Sequence, residues 1–323
     1  MRFLTCYRNC SLGGMTSVFR GRAMQNPHDI FDFFFSEEKG GVKAYAGLRN
    51  VNLRIVREDR LISMINFCGT KFFYDTITVC SMPNIINGLN INKNTKVVYE
   101  IHSPIRSIIK RELQSLDLEK IHEIWTPSSW SAEEIKFLLG KQTHPQIVVK
   151  KNITDNKHFN IISEKAFSFS KREGQIPILW IGRAENTHKN YIDMFRVLSL
   201  LPQNFYAILI LSLENDPSRI ARLLGQAALY HVEQRIDIFN NVPQEQMGLV
   251  HRGVRNAGGV FCSTSFAESF GYAVVEASMC GLPVVAYNVG ALCEHSLQKY
   301  FLIDVGDIKA MAAQILNITN KEQ

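Results

Sequence analysis

Short, nearly uninterrupted apolar runs alternate with helical patterns through the second half of the chain. Residues 176–182, 259–263 and 283–287 are apolar runs bounded by polar or turn-forming residues. Such runs are typical of strands that are buried on both faces of a parallel sheet. Residues 190–201 repeat apolar positions at helical spacing between two of these runs. The alternation predicts a doubly wound α/β domain over residues 161–323.

The first half repeats this alternation and predicts a second α/β domain over residues 1–160. The polar stretch at residues 152–175 has no clear period and predicts the boundary. Two such Rossmann-like domains are expected to face a central cleft at the carboxyl ends of their strands, where open α/β sheets bind ligands. The strands predicted in the first half are residues 2–6, 30–35, 51–56, 76–80, 96–101, 123–126 and 146–149, and the helices include 16–24, 60–67, 105–116 and 132–139.

Composition fits an ordinary globular protein, but charge is distributed unevenly. The 323 residues are 46% hydrophobic and 20% charged, with a net charge of +6. Residues 1–160 hold 22 Lys and Arg against 15 Asp and Glu, whereas residues 161–323 hold 14 against 15. A basic half favours an anionic partner, such as a phosphate-bearing acceptor or a membrane surface. An ordinary basic surface explains the surplus equally well.

The cysteines and the apolar runs bear on the compartment. Seven cysteines occur without a CxxC pair, and several, such as Cys80 and Cys262, lie in apolar runs. Buried reduced thiols predict a reducing compartment, so we expect a cytoplasmic protein. The first ten residues are too polar for a signal peptide, and no run approaches the roughly 18 apolar residues of a membrane span. Basic amphipathic patterns at residues 49–62 and 105–116 leave a peripheral contact with an anionic membrane open. We favour helices that pack on their own sheet.

The stretch from Ser263 to Ala277 carries the strongest chemical pattern. A loop of small residues follows a predicted strand, and a helix is expected to begin near Gly271. Backbone N–H groups and the helix dipole at such a point suit phosphate or sugar oxygens. Glu268 and Glu276 add two carboxylates, which accept hydrogen bonds from sugar hydroxyls. Taken alone, the two residues are equally well explained as ordinary polar positions.

The same stretch resembles the donor-site motif of a known enzyme family. Glu268, seven residues, then Glu276-Ala277 and the run from Gly281 to Val285 match the pattern of retaining glycosyltransferases of the GT-B type, glycosyltransferase family four or group 1. The resemblance implies that Glu276 binds the ribose of a nucleotide sugar. It implies that Glu268 binds the transferred sugar at the catalytic centre. It also implies that backbone groups of the intervening loop bind the donor, namely those of Ser269, Phe270 and Gly271.

Two further elements match the family. Gly182-Arg183 followed by Lys189 is similar to the Gly-Arg…Lys element, whose cations bind the donor diphosphate. Gly13-Gly14 matches the glycine pair of the first loop, where a missing side chain lets the backbone approach the diphosphate. Without the resemblance, surface cations and a simple strand-to-helix turn explain these residues as well.

His102 follows a predicted strand and is similar to the family's catalytic histidine, which faces the reacting sugar. Many relatives carry Asp after that histidine, whereas this chain has Ser103. A structural histidine is the alternative. Gly290-Ala291, with Glu294 nearby, resembles the family's Gly-Gly…Glu element, and Ala291 stands where the family has its second glycine.

The resemblance implies a retaining hexosyltransferase that uses a nucleotide sugar, most simply one linked to UDP. The acceptor is expected to be a glycan or a lipid-linked glycan in surface polysaccharide or glycoconjugate biosynthesis. No Asp-x-Asp occurs, so we expect no metal and no other cofactor. Arg183, Lys189 and helix N-termini would then stabilise the leaving diphosphate.

Two other classes of protein stay open. A nucleotide-sugar epimerase can share the two-domain architecture, although the Glu-x7-Glu motif argues against it. A catalytically silent nucleotide-sugar-binding paralogue is the second alternative, and the intact set of charged residues argues against that. Nucleic acid is not expected as a partner, because the basic half shows no recognition helix or aromatic motif.

Overall fold

A computed structural model describes residues 1–141, 144–169, 172, 174–185, 187–212 and 218–321. The chain divides into two compact units, Met1–Ile153 and Thr154–Gln323. Both are built on parallel sheets, as the apolar pattern predicts.

The first unit contains a seven-stranded parallel sheet in the order β3-β2-β1-β4-β5-β6-β7. The order reverses between β1 and β4, which pair in register from Phe3↔Thr76 to Cys6↔Val79. Ligands bind at such reversals in open α/β sheets, outside the carboxyl ends of the strands. The strands are β1 (Arg2–Ser11), β2 (Ile30–Lys39), β3 (Val51–Ile55), β4 (Thr76–Cys80), β5 (Lys96–Glu100), β6 (Glu123–Thr126) and β7 (Gln146–Val149).

Helices cover this sheet and bury their apolar faces against it. Helix α4 places Ile109 and Leu113 in the core of the first unit. This predicted amphipathic segment therefore packs on its own unit, as the favoured interpretation expected. The helices are α1 (Gly14–Gln25), α2 (Glu58–Lys71), α3 (Pro83–Gly88), α4 (Arg106–Ser115) and α5 (Ser129–Leu139).

In the part of the chain that the structure describes, no helix combines the length and apolar character that crossing a bilayer requires.

The second unit contains a six-stranded parallel sheet in the order β10-β9-β8-β11-β12-β13, with its reversal between β8 and β11. The strands are β8 (Ile176–Arg183), β9 (Phe205–Ser212), β10 (Ile236–Asn240), β11 (Val260–Ser263), β12 (Val284–Tyr287) and β13 (Tyr300–Ile303). The helices are α6 (Tyr191–Leu200), α7 (Ser218–Leu229), α8 (Gln244–Asn256), α9 (Tyr272–Met279) and α10 (Ile308–Lys321).

Burial explains why the strands of the second unit are almost wholly apolar. β9 is buried along seven of its eight residues, and β11 and β12 are buried throughout. Helices on both faces remove both sets of side chains from water, so alternation with polar residues is lost. The predicted fold class, two Rossmann-like α/β domains, is confirmed.

The division between Ile153 and Thr154 lies at the start of the polar stretch 152–175, a few residues before residue 160. Phe159 is fully buried in the core of the second unit. Arg252 donates to the carbonyl oxygens of His158 at 3.1 Å and Asn160 at 3.3 Å. The sequence pattern does not predict these contacts, because residues 154–160 form no helix or strand. They join the second unit through individual contacts with side chains of α8.

Candidate active site

The reversal of the second sheet brings together two loops that carry predicted site residues. Arg183 is the last residue of β8, and Lys189 lies in the loop that follows. Glu268 lies in the loop after β11, the strand next to β8. The fold therefore places the two charged motifs at one point of the sheet edge.

Lys189 and Glu268 form an ion pair there. Lys189 Nζ lies 2.6 Å from Glu268 Oε1, and the side chains are 20% and 11% exposed. Burial favours the neutral acid, but the ammonium beside it holds the pKa of Glu268 below its ordinary value. Glu268 is therefore a carboxylate, and its charge is balanced by Lys189.

Hydrogen bonds tie the two loops to each other. The amide of Phe266 donates to the carbonyl of His188 at 2.9 Å. The hydroxyl of Thr264 donates to the carbonyl of Asn190 at 2.7 Å and accepts from Trp180 Nε1 at 3.1 Å. These bonds fix the backbone on either side of the ion pair, so the position of the two charges is set by buried structure.

Packing explains the glycine of the Gly-Arg element. A Cβ on Gly182 would lie 2.6 Å from the ring of Trp180 and 3.0 Å from Lys189 Cγ. Arg183 Nε lies 3.4 Å from Glu185 Oε1, and the Arg183 side chain is 43% exposed. Arg183 can therefore reach a ligand without losing a buried partner.

The Gly290-Ala291 element supports the backbone of Glu268. Ala291 N donates to the carbonyl of Glu268 at 2.8 Å. Gly290 has a φ of 53°, and a Cβ there would lie 2.1 Å from the same carbonyl oxygen. The glycine is required by this close approach, and the replacement of the family's second glycine by Ala291 leaves the contact intact.

Helix α9 begins beside this loop at Tyr272, directly after Gly271, whose φ is 81°. A Cβ at this position would lie 2.4 Å from Leu292 Cδ2, so the turn requires glycine. No side chain caps the helix here in the described structure. The carbonyl of Phe270 lies 2.6 Å from His295 Nε2, and Ser269 precedes it in the loop. The positive end of the helix dipole is thus presented at the sheet edge, which suits an anion.

Glu276 lies one helical turn inside α9 and is buried. Gln244, the first residue of α8, donates from Nε2 to Glu276 Oε1 at 2.7 Å. Burial raises the pKa of Glu276 to about 8, and the hydrogen bond from Gln244 opposes this rise. Near neutral pH the carboxyl group is therefore largely protonated.

The predicted glycine pair of the first unit lies at the start of α1. Gly13 precedes the helix with no side-chain cap in the described structure, and Gly14 is its first residue. The amide of Thr16 donates to the carbonyl of Gly13 at 3.0 Å. A Cβ on Gly13 would meet Ser11 Oγ at an ordinary 3.5 Å. The fold itself therefore does not require a glycine at residue 13.

His102 follows β5 and belongs to a buried charged cluster. His102 Nε2 lies 2.8 Å from Glu100 Oε1, and Glu100 is fully buried. Arg22 Nη1 donates to Glu100 Oε2 at 2.9 Å, and Arg22 Nη2 donates to the other oxygen. Burial opposes ionisation, yet Arg22 and His102 hold the pKa of Glu100 well below its ordinary value. Because a carboxylate only accepts, Nε2 carries a hydrogen and donates it to Glu100.

Sequence reasoning missed Arg22, Glu100 and Gln244. A signal existed for Glu100, because a charged residue that ends an apolar strand needs a buried partner. Arg22 lies in α1 and Gln244 opens α8, each far along the chain from the residue that it contacts. No spacing pattern connects them.

Among the described residues, no group of three or more His, Cys, Asp or Glu side chains could hold a metal ion. The expectation of a metal-independent reaction stays a prediction.

Fold and site geometry together indicate an α/β protein that presents cations and a helix N-terminus at the edge of its second sheet. Residues 161–323 match the sequence family described as glycosyl transferases group 1. The chain belongs to this family, and the predicted family resemblance is confirmed.

Two relatives of known activity match parts of the chain. The O-antigen chain mannosyltransferase B of Escherichia coli is 36% identical over 75 residues, which is 23% of this chain. The D-inositol 3-phosphate glycosyltransferase of Corynebacterium efficiens is 29% identical over 139 residues, 40% of this chain. The matched segments span 19% and 32% of these relatives' own lengths.

Solved structures share the fold along nearly the whole chain. The Anabaena protein HepE in complex with UDP and glucose superposes with a TM-score of 0.78 at 17% identity, covering 99% of this chain and 89% of HepE. Sucrose-phosphate synthase from Thermosynechococcus elongatus gives 0.74 at 16% identity, covering 99% and 90%. At these identities the likeness supports the fold.

Proposed function

We propose that the protein is a retaining, metal-independent glycosyltransferase that uses a nucleoside-diphosphate sugar, most simply a UDP-sugar. The acceptor is a glycan or a lipid-linked glycan of a surface polysaccharide or glycoconjugate. The observation that carries the proposal is the Lys189–Glu268 ion pair at the reversal of the second sheet, beside the N-terminus of α9. HepE, which shares the fold, is known in complex with UDP and glucose.

The ion pair suggests how the donor is received. Lys189 neutralises Glu268 through their ion pair. A diphosphate offers Lys189 two negative charges, so the ammonium turns from the carboxylate to the phosphate oxygens, with Arg183 beside it. Glu268 is then released to accept hydrogen bonds from the sugar hydroxyls. Lys189 thus pairs with Glu268 and, when a donor binds, with the diphosphate.

The remaining donor contacts follow from α9. Glu276 accepts hydrogen bonds from the ribose hydroxyls and is held in place by Gln244. The backbone N–H groups of Ser269, Phe270 and Gly271 lie at the start of the helix and donate hydrogen bonds to the nucleotide sugar. Gly13 and Gly14 of the first unit contribute backbone at the diphosphate.

In the transfer step, an acceptor oxygen forms a bond to the anomeric carbon while the bond from that carbon to the diphosphate oxygen breaks. The acceptor proton passes to the leaving phosphate on the same face, which gives retention. Lys189 and Arg183 stabilise the charge that develops on the diphosphate. Glu100 orients His102. Nδ1 of His102 then accepts a hydrogen bond from the hydroxyl of the acceptor substrate and fixes its position.

The test is a transfer assay with purified full-length protein. UDP- and GDP-linked sugars are incubated with candidate glycan acceptors, with and without EDTA, and product configuration is read by NMR. We expect one donor to give an axial-to-axial, retained product that is insensitive to EDTA. Inversion of the anomeric centre, or loss of transfer with EDTA, would contradict the proposed mechanism.

Donor alone distinguishes the alternatives. A transferase should hydrolyse its donor slowly in the absence of acceptor. Conversion of the donor to its epimer would instead identify an epimerase. Tight donor binding with neither reaction in the presence of every acceptor class would identify a silent paralogue.

A further inference from the structure

A cavity of about 360 Å³ opens at the carboxyl edge of the first unit's sheet. Arg8 and Asn9, which line it, lie on β1 beyond the last pair with β4, Cys6↔Val79. Ser81 lines it from the residue after β4. The cavity therefore lies at the reversal of strand order between β1 and β4, the position at which open α/β sheets bind ligands.

Two oxygen atoms of the cavity are suited to accept hydrogen bonds from a ligand. Asn9 Oδ1 is buried and has no hydrogen-bond partner among the described residues. Glu112 is 8% exposed, and its Oε2 accepts from the Tyr99 hydroxyl at 3.0 Å. A buried acceptor without a partner costs about 1–3 kcal/mol, so a ligand hydroxyl there would recover free energy.

Two guanidinium groups and an amide are also part of the lining. Arg8 lies on β1 and its only charged contact in the described structure is the half-exposed Glu58, at 3.0 Å. Arg111 is exposed on α4, and Asn84 is exposed at the start of α3. Guanidinium groups bind phosphate or carboxylate through paired hydrogen bonds, with a geometry that lysine does not offer.

The cavity is joined to the strand that His102 follows. Glu112, which lines the cavity, accepts from the hydroxyl of Tyr99 at 3.0 Å, and Tyr99 lies on β5. His102 follows the end of the same strand. One strand therefore supports both the cavity and the imidazole that we assign to the acceptor.

We propose that this cavity binds the acceptor, and that the acceptor carries a phosphate or carboxylate next to hydroxyl groups. Arg8 and Arg111 hold the anionic group, while Asn9 and Glu112 accept hydrogen bonds from the hydroxyls. The proposal rests on the proposed transferase function, because it assigns the substrate class of the same reaction. It gives the basic surplus of the first half a specific use.

The test is isothermal titration of the full-length protein with glucose 6-phosphate, glucuronate, glucose and inorganic phosphate. We expect at least one of the two anionic sugars to bind about tenfold or more tightly than glucose, since charge-assisted hydrogen bonds contribute about 1.5–3 kcal/mol. Vesicles of phosphatidylinositol against phosphatidylcholine alone distinguish a lipid-linked from a soluble source, and preference for either anionic source supports the proposal.

Variants locate the binding. Arg111→Gln and Arg8→Gln should each reduce binding of the anionic sugar to that of glucose. Lys110→Gln removes a charge from the adjacent exposed residue of α4, outside the cavity, and should leave binding within twofold. UDP binding should be unchanged in all variants, which shows that each is folded.

The proposal is overturned if anionic and neutral sugars bind equally, or if Lys110→Gln weakens binding as much as Arg111→Gln. It is also overturned if inorganic phosphate alone binds as tightly as the sugar phosphate, because the hydroxyl contacts would then contribute nothing. Absence of both UDP and GDP binding by the unaltered protein would instead contradict the proposed function, and the sugar preference would still be measured.

Discussion

Each unit places a buried carboxylate beside a cation at the edge of its sheet, but the two pairs differ in how firmly they are closed. In the second unit, Lys189 and Glu268 share a single contact, and the side chains stay 20% and 11% exposed. In the first unit, Arg22 donates hydrogen bonds to both carboxylate oxygens of Glu100, and the side chains are 13% and 1% exposed. The first arrangement suits a pair that opens for substrate. The second suits a fixed support for His102.

The largest effect is expected at the residue that the fixed pair supports. His102→Ala should lower kcat by about 10² or more, because the acceptor hydroxyl would lose the hydrogen bond that fixes its position. Glu100→Gln keeps the shape but removes the charge that orients the imidazole, so its loss should be smaller. Steady-state kinetics checks both, with thermal unfolding to confirm folding. An unchanged kcat for His102→Ala would make the cluster purely structural.

The fixed pair should matter more for stability than an exposed one. Arg22→Met leaves the Glu100 carboxylate buried without its guanidinium and should cost about 3–5 kcal/mol of unfolding free energy. Arg57→Met is the matched control, because its pair with Asp59 is 75% and 58% exposed and should contribute almost nothing. Urea unfolding at pH 7 measures both. Equal losses would mean that Glu100 finds another partner.

The second unit also buries a histidine, His251, which belongs to neither of the two charged pairs. His251 is fully buried between Phe159 and Phe261, and neither ring nitrogen has a hydrogen-bond partner in the described structure. Burial, then the charge of Arg252, lowers the pKa of His251 to about 3. The unfolded chain binds a proton below about pH 6.5 and the folded chain does not, so stability falls as pH falls from 6.5 towards 3.

From pH 7 to pH 5 this imidazole should cost about 2 kcal/mol of unfolding free energy. Glu276 shifts in the opposite sense, because its raised pKa makes stability fall as pH rises from 4.5 towards 8. The difference between the unaltered protein and His251→Leu isolates the imidazole. A difference that does not change between pH 7 and 5 would show that His251 ionises in the folded state.

The smallest effect concerns donor binding. Glu276 is largely protonated near pH 7, and its ionised form is the better acceptor for ribose hydroxyls. Donor affinity should therefore rise about tenfold between pH 7 and 9, one pKa unit being equivalent to 1.36 kcal/mol. Glu276→Gln should abolish the rise. Titration calorimetry with UDP checks the slope, and a rise that persists in the variant would assign it to another group.

The two pairs also differ in how well sequence reveals them. Glu268, Glu276 and Lys189 lie in short contiguous motifs, because two adjacent loops and one helix hold them all. The family pattern therefore predicted them, and the alternating apolar runs predicted both sheets. The Arg22–Glu100–His102 cluster joins residues up to 78 positions apart, one on α1 and the others at the end of β5. Only the folded chain brings them together, and the same is true of Gln244 with Glu276, 32 positions apart.

The central claim is that the Lys189–Glu268 ion pair separates when the donor binds. Lys189 then contacts the diphosphate, and Glu268 accepts hydrogen bonds from the sugar. Titration calorimetry of UDP and a UDP-sugar against the unaltered protein, Lys189→Ala and Glu268→Ala tests this directly, with Lys309→Ala on the exposed face of α10 as control. Lys189→Ala should weaken both ligands, because it removes a diphosphate contact. Glu268→Ala should leave UDP at least as tightly bound, since Lys189 is freed, and should weaken only the UDP-sugar relative to UDP. Equal weakening of both ligands by both variants, or no change in either, would contradict the account.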